Sequence, residues 1–463
     1  MSNETLSPYV IEGDHEVVRY THPYLFTRDQ GKTVTVWSCA NASKAPSACG
    51  TLESGQLGWP MFTYVLSPQH IVIHSYSQEA FGTSTLSVYS IPDVQLLDSL
   101  QLGYVNGIEP DEPEAGQTSL LGVVDGRIAV WTNGSTSANG FIRIYTPAEN
   151  GKLTVLQELH PAPGGPALAV DSVAREYLTP QLVHLTADDF VGSLVFHPSS
   201  VVHLVRWSSQ TSQAVAHSAE FACTRTVPDF NGVMHASLQD HLFVSSTNAI
   251  ITAHYEYPLD FVDHAPVTAI RSLDSSSLKL NWCTSVNQKV DALRYSAAAG
   301  VVLATGVIWK DGGGEWGIIV LDAQTGDTRR VERIGQPKTP CGKMSGGLAD
   351  VSCDVTPSGE NLVVVFGDGQ LATCSVAQFV EHGLAREEDV DEDGLRKVTT
   401  LACADVPLSE PTNSKARTQA RKAKENGRWR WVDAAFIGDG QVILKPESGR
   451  GFATLSFGEK RAD

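Results

Sequence analysis

The sequence predicts an all-β fold built from one structural unit that repeats along the whole chain. Short β-rich runs alternate with polar turns from one end to the other. Hydrophobic residues make up 42% of the 463 positions, and the 40 glycines and 23 prolines are spread throughout. Turn-forming residues between apolar runs of this length are typical of antiparallel strands joined by tight turns.

The repeated unit is clearest in residues 61–102, where four β-rich runs are separated by turn-forming residues. A second copy spans residues 119–159, and its Asp125-Gly126 dipeptide is a strong signal for a two-residue hairpin. A third copy spans residues 293–334. Each copy predicts one four-stranded antiparallel sheet.

Five weaker copies complete the series, and the eight predicted units start at residues 17, 61, 120, 183, 235, 293, 351 and 432. Their spacing is somewhat longer than the roughly 40 to 50 residues of common propeller repeats, and loop insertions account for the excess. Repeats of this kind predict a single β-propeller domain of eight blades over residues 1–463. A propeller of six or seven blades and a pair of β-sandwiches are the alternatives.

The eighth unit contains only three predicted strands, which would leave an exposed sheet edge. Residues 6–13, LSPYVIEG, precede the first unit and have the character of one more strand. We therefore expect the N-terminal strand to complete the last blade and to close the ring, since closure protects the edges of a propeller.

Three segments carry a resemblance to a known class of propeller. They are VTVWSC at 34–39, IRIYTPAENG at 142–151 and IIVLDAQTGD at 318–327, each a third strand with the turn after it. In this the chain resembles WD-repeat propellers over its whole length, although Trp-Asp and Gly-His dipeptides are absent from it. The resemblance implies a rigid disc whose top, side and central channel bind proteins or peptides.

Composition limits the surroundings in which the protein works. A net charge of −18 disfavours a general phosphate-binding surface. The first residues lack the basic start and apolar core of a signal peptide, and no apolar run approaches the roughly 20 residues that span a bilayer. The eight cysteines are scattered without a C-x-x-C pair, which is typical of free, buried thiols. We expect a cytoplasmic or nuclear protein without membrane insertion.

The sequence offers no convincing catalytic or metal motif. H-E-x-x-H, G-x-S-x-G and the P-loop pattern are all missing. Residues 389–394 begin like a calcium loop, but Thr400 and Lys397 stand where the later acidic ligands are needed. The LDAQTGD turn is similar to that of quinone-cofactor propellers, yet it occurs once and lacks a following tryptophan. We predict no catalytic residue, no cofactor, no metal and no evident small-molecule substrate.

The most distinctive segment is an insertion between the seventh and eighth units, residues 381–430, which is acidic first and basic afterwards. Ser414 and Asn426-Gly427 predict the two ends of a short helix. Such a basic cluster suits an acidic protein, RNA or a phosphate-rich surface, whereas pairing with the preceding acidic run is the alternative. The predicted partner-binding residues are Lys415, Arg417, Arg421, Lys422, Lys424, Arg428 and Arg430.

These observations favour a non-catalytic scaffold or adaptor subunit of an intracellular complex, whose partners are other proteins. Association with RNA or a ribonucleoprotein through the basic insertion is one alternative. A divergent enzyme with its site in the central channel is the other. Residues 166–181 have helical character and predict an excursion between two blades.

Overall fold

The structure is a computed structural model of the 463-residue chain. It describes residues 9–11, 16–21, 23–29, 33–40, 44–53, 61–67, 69–76, 84–91, 93–102, 118–124, 126–132, 141–160, 181–185, 189–196, 201–208, 217–222, 224, 234–258, 267–310, 313–335, 352–356, 358–365, 371–390, 396–398, 431–436, 441–446 and 451–456. The chain divides into two compact units. The middle unit is Glu53–Val290, and the terminal unit combines Met1–Leu52 with Asp291–Asp463.

The middle unit contains four antiparallel sheets of four consecutive strands each. Sheet 2 consists of β6 (Met61–Ser67), β7 (His70–Tyr76), β8 (Ser84–Ser90) and β9 (Leu96–Leu102). Sheet 3 consists of β10 (Thr118–Val124), β11 (Arg127–Thr132), β12 (Phe141–Pro147) and β13 (Leu153–Leu159). Sheet 4 consists of β14 (Gln181–Leu185), β15 (Asp189–Phe196), β16 (Val201–Ser208) and β17 (His217–Ala222). Sheet 5 consists of β18 (Met234–Val244), β19 (Ala249–Pro258), β20 (Val267–Asp274) and β21 (Leu280–Val286).

The terminal unit contains the remaining sheets. Sheet 1 consists of β2 (Glu16–Thr21), β3 (Tyr24–Arg28), β4 (Thr33–Ser38) and β5 (Ser47–Glu53). Sheet 6 consists of β22 (Gln288–Ser296), β23 (Val301–Lys310), β24 (Gly313–Asp322) and β25 (Thr328–Gly335). Sheet 7 consists of β26 (Ser352–Val355), β27 (Asn361–Val365) and β28 (Leu371–Ser375). Helix α1 (Val376–His382) and the hairpin of β29 (Ala385–Val390) and β30 (Arg396–Val398) follow. Sheet 8 consists of β31 (Trp431–Phe436), β32 (Gln441–Pro446), β33 (Phe452–Ser456) and β1 (Tyr9–Ile11).

The predicted all-β fold of four-stranded antiparallel units is confirmed. Each of the eight predicted starts lies in or within a few residues of the first strand of a sheet. Among the described residues, seven sheets have four strands and sheet 7 has three. A closed ring, its number of blades and the single-domain assignment stay predictions. The segment predicted as helical lies outside the described residues over 166–180, and Gln181 begins strand β14.

Strand β1 joins the last three strands in sheet 8, in agreement with the expectation that residues 6–13 supply a strand to the eighth unit. Strand β1 pairs antiparallel with β33, and Val10 lies opposite Ala453. The strand from the N-terminal end therefore completes a sheet whose other three strands come from residues 431–456. Sheet 8 also packs on sheet 1, because Ile443 and Phe452 share a core cluster with Leu25.

One backbone hydrogen bond recurs from sheet to sheet. The residue after the third strand donates its N–H to a carbonyl in the turn between the first two strands, at 2.8 to 3.0 Å. This bond joins Cys39 to Pro23, Ile91 to Gln69, Ser275 to Asn248, Ala323 to Gly300 and Val376 to Glu360. The similarity between these five sheets therefore includes an individual hydrogen bond. In each of them this bond links the residue after the third strand to the turn between the first two strands.

The turn between the third and fourth strands also recurs. In four sheets it places one residue at positive φ: Val94, Gly151, Leu278 and Gly326. A side chain in this region is strained, and glycine normally occupies it. Leu278 offsets that strain by burial, since it is 1% exposed and packs with Leu273 and Ile250.

The core lies between neighbouring sheets. Val72 and Val88 of sheet 2 share one cluster with Ile128 and Val130 of sheet 3. Within the middle unit, the first strands β6, β10, β14 and β18 lie next to one another in that order. Successive four-stranded sheets that pack face to face with adjoining first strands have the arrangement of propeller blades.

Candidate protein-binding surface

The fourth strands carry the large hydrophobic side chains that the protein exposes. Within the described ranges these are Leu96, Leu97, Val155, Leu156, Leu280 and Val331. Four of them lie on the neighbouring strands β9 and β13 and are between 37% and 54% exposed. We call Leu96, Leu97, Val155 and Leu156 the outer patch. Contiguous exposed apolar residues of this kind mark interaction sites more often than scattered ones.

A β-bulge shapes each half of the outer patch. On β9 the register moves from Val88 opposite Asp98 to Tyr89 opposite Leu96, which leaves Leu97 as the extra residue. The same shift on β13 leaves Leu156 as the extra residue. A bulge bends its strand and re-aims the side chains beside it. Each strand therefore presents two adjacent apolar side chains that strict alternation would place on opposite faces.

Two contacts hold β9 and β13 together. The Asp98 carboxylate accepts a hydrogen bond of 2.7 Å from the backbone N–H of Leu153. Leu97 packs over Gly151, where an added Cβ would lie 2.3 Å from the Leu97 Cδ1 atom. Gly151 also has a φ of 78°, so two independent requirements favour glycine there. The two halves of the outer patch thus have a fixed spacing.

Sheets 5 and 6 show which residues the bulge itself requires. Their bulge residues at the equivalent position are Asn281 and Arg329. Asn281 donates to the Ser272 hydroxyl at 3.4 Å, and Arg329 forms an ion pair with Asp322. Because the fold accepts polar side chains at this position, Leu97 and Leu156 are not needed to form the bulge.

The surroundings of the outer patch are acidic. Strands β9 and β13, together with the turns that precede them, carry four carboxylates and one lysine: Asp93, Asp98, Glu149, Glu158 and Lys152. Glu158 is paired with Arg143 of β12, whose Nη2 lies 2.6 Å from Oε1. Asp93 and Glu149 are exposed in the two turns. The patch therefore combines an apolar centre with a negative rim.

A second group of functional side chains lies inside sheet 5. The Arg271 guanidinium donates to Glu256 at 3.0 Å, and the two side chains are 2% and 0% exposed. The Thr224 backbone N–H and hydroxyl both donate to the other Glu256 oxygen at 2.9 Å. Arg271 also donates to the Ala222 carbonyl at 3.1 Å. This buried network joins sheet 5 to the end of strand β17.

The buried network contains a neutral histidine. His254 lies on the same strand face as Glu256, and burial together with the Arg271 and His241 charges holds its pKa well below the usual value. His254, Glu256 and Arg271 are buried, and Arg271 is bonded to Glu256. The network acts as a structural brace, and it does not supply the exposed titratable cluster that a catalytic site needs.

The described part of the chain contains no group of three or more His, Cys, Asp or Glu side chains that could hold a metal ion. Its cysteines are free thiols. Among the described residues, no helix is long and apolar enough to cross a membrane. The seven predicted partner-binding cations, Lys415, Arg417, Arg421, Lys422, Lys424, Arg428 and Arg430, lie outside the described residues. Their role stays a prediction.

The outer patch was not predicted from the sequence, although a signal was present. The adjacent pairs Leu96-Leu97 and Val155-Leu156 interrupt the alternation of apolar and polar residues in two predicted strands. Such an interruption is typical of a bulge. The proximity of the two pairs, in contrast, depends on the packing of sheet 2 against sheet 3.

The repeated four-stranded antiparallel sheets and their shared hydrogen bonds define the class of this protein as an all-β repeat fold whose sheets are arranged like propeller blades. No protein-family model and no curated protein sequence matches the chain. Similar solved structures include the C-terminal WD40 domain of Sif2, with 8% identity, a TM-score of 0.48 and coverage of 97% of this chain and 99% of that one.

Two further structures are similar to this chain. Chaetomium thermophilum Sqt1, bound to the N-terminus of ribosomal protein L10, has 12% identity, a TM-score of 0.44 and coverage of 96% and 98%. The quinohemoprotein alcohol dehydrogenase of Comamonas testosteroni has 9% identity, a TM-score of 0.47 and coverage of 99% of this chain and 77% of that one. Similarity at this level of identity does not establish a function for this chain.

Proposed function

We propose that this protein is a non-catalytic interaction scaffold, a subunit of an intracellular complex, and that the outer patch binds a partner protein. The comparison between sheets carries the proposal. Sheets 5 and 6 form the same bulge with Asn281 and Arg329, whereas sheets 2 and 3 place Leu97 and Leu156 there. Adjacent exposed apolar side chains at a bulge where other sheets carry polar ones are typical of an interaction site.

Burial of the outer patch by a partner would contribute to the free energy of binding. Full burial of a leucine or valine side chain stabilises by about 1.5 to 3 kcal/mol, and these four are already half-buried. Each therefore contributes on the order of 1 kcal/mol when a partner covers it. An apolar centre surrounded by a polar rim is the usual anatomy of a protein interface.

The test compares two variants whose substitutions should both leave the fold intact. The patch variant carries Leu96→Thr, Val155→Thr and Leu156→Asn, and it leaves Leu97 on Gly151. Threonine and asparagine are the residues that sheets 6 and 5 place at the equivalent positions, Thr328 and Asn281. The control variant carries Leu280→Thr and Val331→Thr, which remove the two isolated exposed hydrophobics.

The tagged wild type and both variants are used for affinity capture from cells that express the protein. Captured proteins are identified by mass spectrometry, and the leading one is purified and titrated calorimetrically against all three forms. We expect stoichiometric binding to wild type and to the control variant, with at least about a tenfold loss for the patch variant, since 1.4 kcal/mol corresponds to tenfold. Unchanged binding of the patch variant would remove the outer patch as the binding surface.

A further inference from the structure

We propose that the outer patch is a docking site for an amphipathic helix of a partner protein, with an apolar stripe flanked by lysine or arginine. This inference rests on the proposed scaffold function and names the kind of partner that its surface fits. It follows from three properties of strands β9 and β13: their bulges, their spacing and their charge.

The bulges exclude the other common mode of peptide binding at a sheet. A peptide strand adds to a sheet edge by pairing with a regular row of backbone N–H and C=O groups. The register shifts at Leu97 and Leu156 put a bulge into each of these edge strands, and bulges are a means by which proteins protect edges from pairing. Recognition at this surface therefore depends on side chains.

The spacing of the apolar pairs suits a single rod that crosses both strands. The Asp98 bond to the Leu153 N–H draws β9 and β13 together, so the two pairs belong to one surface. A helix is about 10 Å wide with its side chains, and its apolar residues at i, i+3, i+4 and i+7 form one stripe. Such a stripe can offer apolar side chains to both strands, whereas an extended peptide directs every second side chain away.

The charge around the patch determines the polar face of the helix. Glu158 is neutralised by Arg143, which leaves Asp93, Asp98 and Glu149 against the single cation Lys152 on these strands and turns, within a chain of net charge −18. Asp93 and Glu149 are exposed in the turns. A partner with basic residues beside its apolar stripe gains attraction, and an acidic partner is repelled. The surface therefore selects a basic amphipathic helix.

The experiment uses three fluorescent synthetic peptides of about 18 residues, long enough for a stable helix, with identical leucine, lysine and alanine content. One arranges leucine at helical spacing, the second alternates leucine and lysine as in a strand, and the third is scrambled. A fourth peptide replaces lysine with glutamate in the helical arrangement. Anisotropy titrations measure binding to wild type, the patch variant, the control variant and an Asp93→Lys/Glu149→Lys variant.

We expect the basic helical peptide to bind wild type and the control variant at least about tenfold more tightly than it binds the patch variant. The Asp93→Lys/Glu149→Lys variant should weaken the basic helical peptide and strengthen the acidic one. The scrambled peptide should bind weakly and equally to the patch variant and wild type, because only general charge attraction remains.

Tighter binding of the strand-patterned peptide would overturn the helix assignment, and so would equal binding of all three basic peptides. These outcomes are separable from failure of the scaffold function. If the purified partner depends on the outer patch but the helical peptide shows no preference, only the helix inference fails. If neither the partner nor any peptide depends on the patch, the outer patch is not the binding surface, and the helix inference fails with it.

Discussion

Asp98 and Leu153 are 55 residues apart in sequence, yet the carboxylate of the first accepts a 2.7 Å hydrogen bond from the backbone N–H of the second. The bond connects the fourth strands of two consecutive sheets at the place where the outer patch forms. Asp98 also accepts from the Ser99 N–H at 2.9 Å. One carboxylate therefore shapes its own strand and positions the next sheet.

Replacement of Asp98 by alanine should destabilise the protein by about 2 kcal/mol, because a hydrogen bond to a charged group contributes about 1.5 to 3 kcal/mol. Urea unfolding monitored by fluorescence measures the change. Asp93→Ala is the matched control, since Asp93 is an exposed carboxylate in the preceding turn and should change stability by about 0.5 kcal/mol or less. Equal effects of the two changes would show that the bond to Leu153 contributes little.

Glu256→Gln should be far more damaging, with a loss of about 3 to 5 kcal/mol in unfolding free energy. The amide keeps the shape of the carboxylate but leaves the Arg271 charge, 2% exposed, without a counter-ion. The measurement is again urea unfolding. The combined variant Glu256→Gln/Arg271→Met should recover part of the loss, because it removes the uncompensated charge.

The Arg143 pair with Glu158 provides the comparison for that experiment. These side chains are 32% and 40% exposed, and solvent screens their attraction. Glu158→Gln should cost less than about 1 kcal/mol. A loss as large as that of Glu256→Gln would contradict the distinction between a buried brace and a surface pair.

Protonation of His74 should make the protein less stable in mild acid. Burial lowers the pKa of His74 from 6.5 to about 4. Between these values the unfolded chain binds more protons than the folded one, so stability is fully present above pH 6.5 and falls as the pH drops towards 4. This one residue should remove about 2 kcal/mol between pH 7.5 and pH 5.

Urea unfolding of wild type and His74→Asn at those two pH values tests the effect. The variant should lose less stability than wild type on acidification, whatever its absolute stability at pH 7.5. Parallel losses in the two proteins would indicate that His74 binds its proton normally in the folded state.

A comparison of Gly151→Ala with Gly300→Ala separates the effect of backbone strain from the effect of a steric clash. Both glycines have positive φ, 78° and 63°, so each alanine pays a backbone cost of about 1 kcal/mol. Only the alanine that replaces Gly151 would also clash with the Leu97 side chain, since nothing lies within 4 Å of a Cβ at Gly300. Gly151→Ala should therefore lose more stability and weaken partner binding, whereas Gly300→Ala should leave binding unchanged. Calorimetric titration with the purified partner measures the difference.

Charge reversal tests whether the predicted basic cluster binds RNA. Replacement of its seven basic residues by glutamate should abolish any binding to an RNA homopolymer. Wild-type binding should weaken steeply as the salt concentration rises, because binding releases counter-ions from the RNA. The residues to reverse are Lys415, Arg417, Arg421, Lys422, Lys424, Arg428 and Arg430. Salt-insensitive binding, or binding that survives the reversal, would remove RNA as the partner of this segment.

The fold could be predicted because each sheet is local in sequence. Runs such as residues 61–102 contain all four strands of a sheet and their turns, so hydrophobic alternation and turn residues were sufficient. The pairing of β1 with β33 was also predictable, since an incomplete last unit required a further strand. These inferences need only patterns within or between whole strands.

The candidate site could not be predicted in the same way. Contact between β9 and β13 depends on Asp98 and Leu153, which no periodicity relates. The ion pair of Arg271 with Glu256 is likewise invisible in the sequence, because both residues lie in strands where alternation predicts only a face. Burial, bulges and side-chain bonds between sheets are products of tertiary packing.

Sheet 8 determines when the chain can finish folding. Its strands come from residues 9–11 and 431–456, so a nascent chain holds β1 without a partner until β33 has left the ribosome. Sheets 2 to 6, whose strands are contiguous, have no such delay. A circular permutant could join the two ends of the chain and open it between two other sheets. The pairing of β1 with β33 would then become a local hairpin, and refolding should be faster because folding rates rise as contacts become more local.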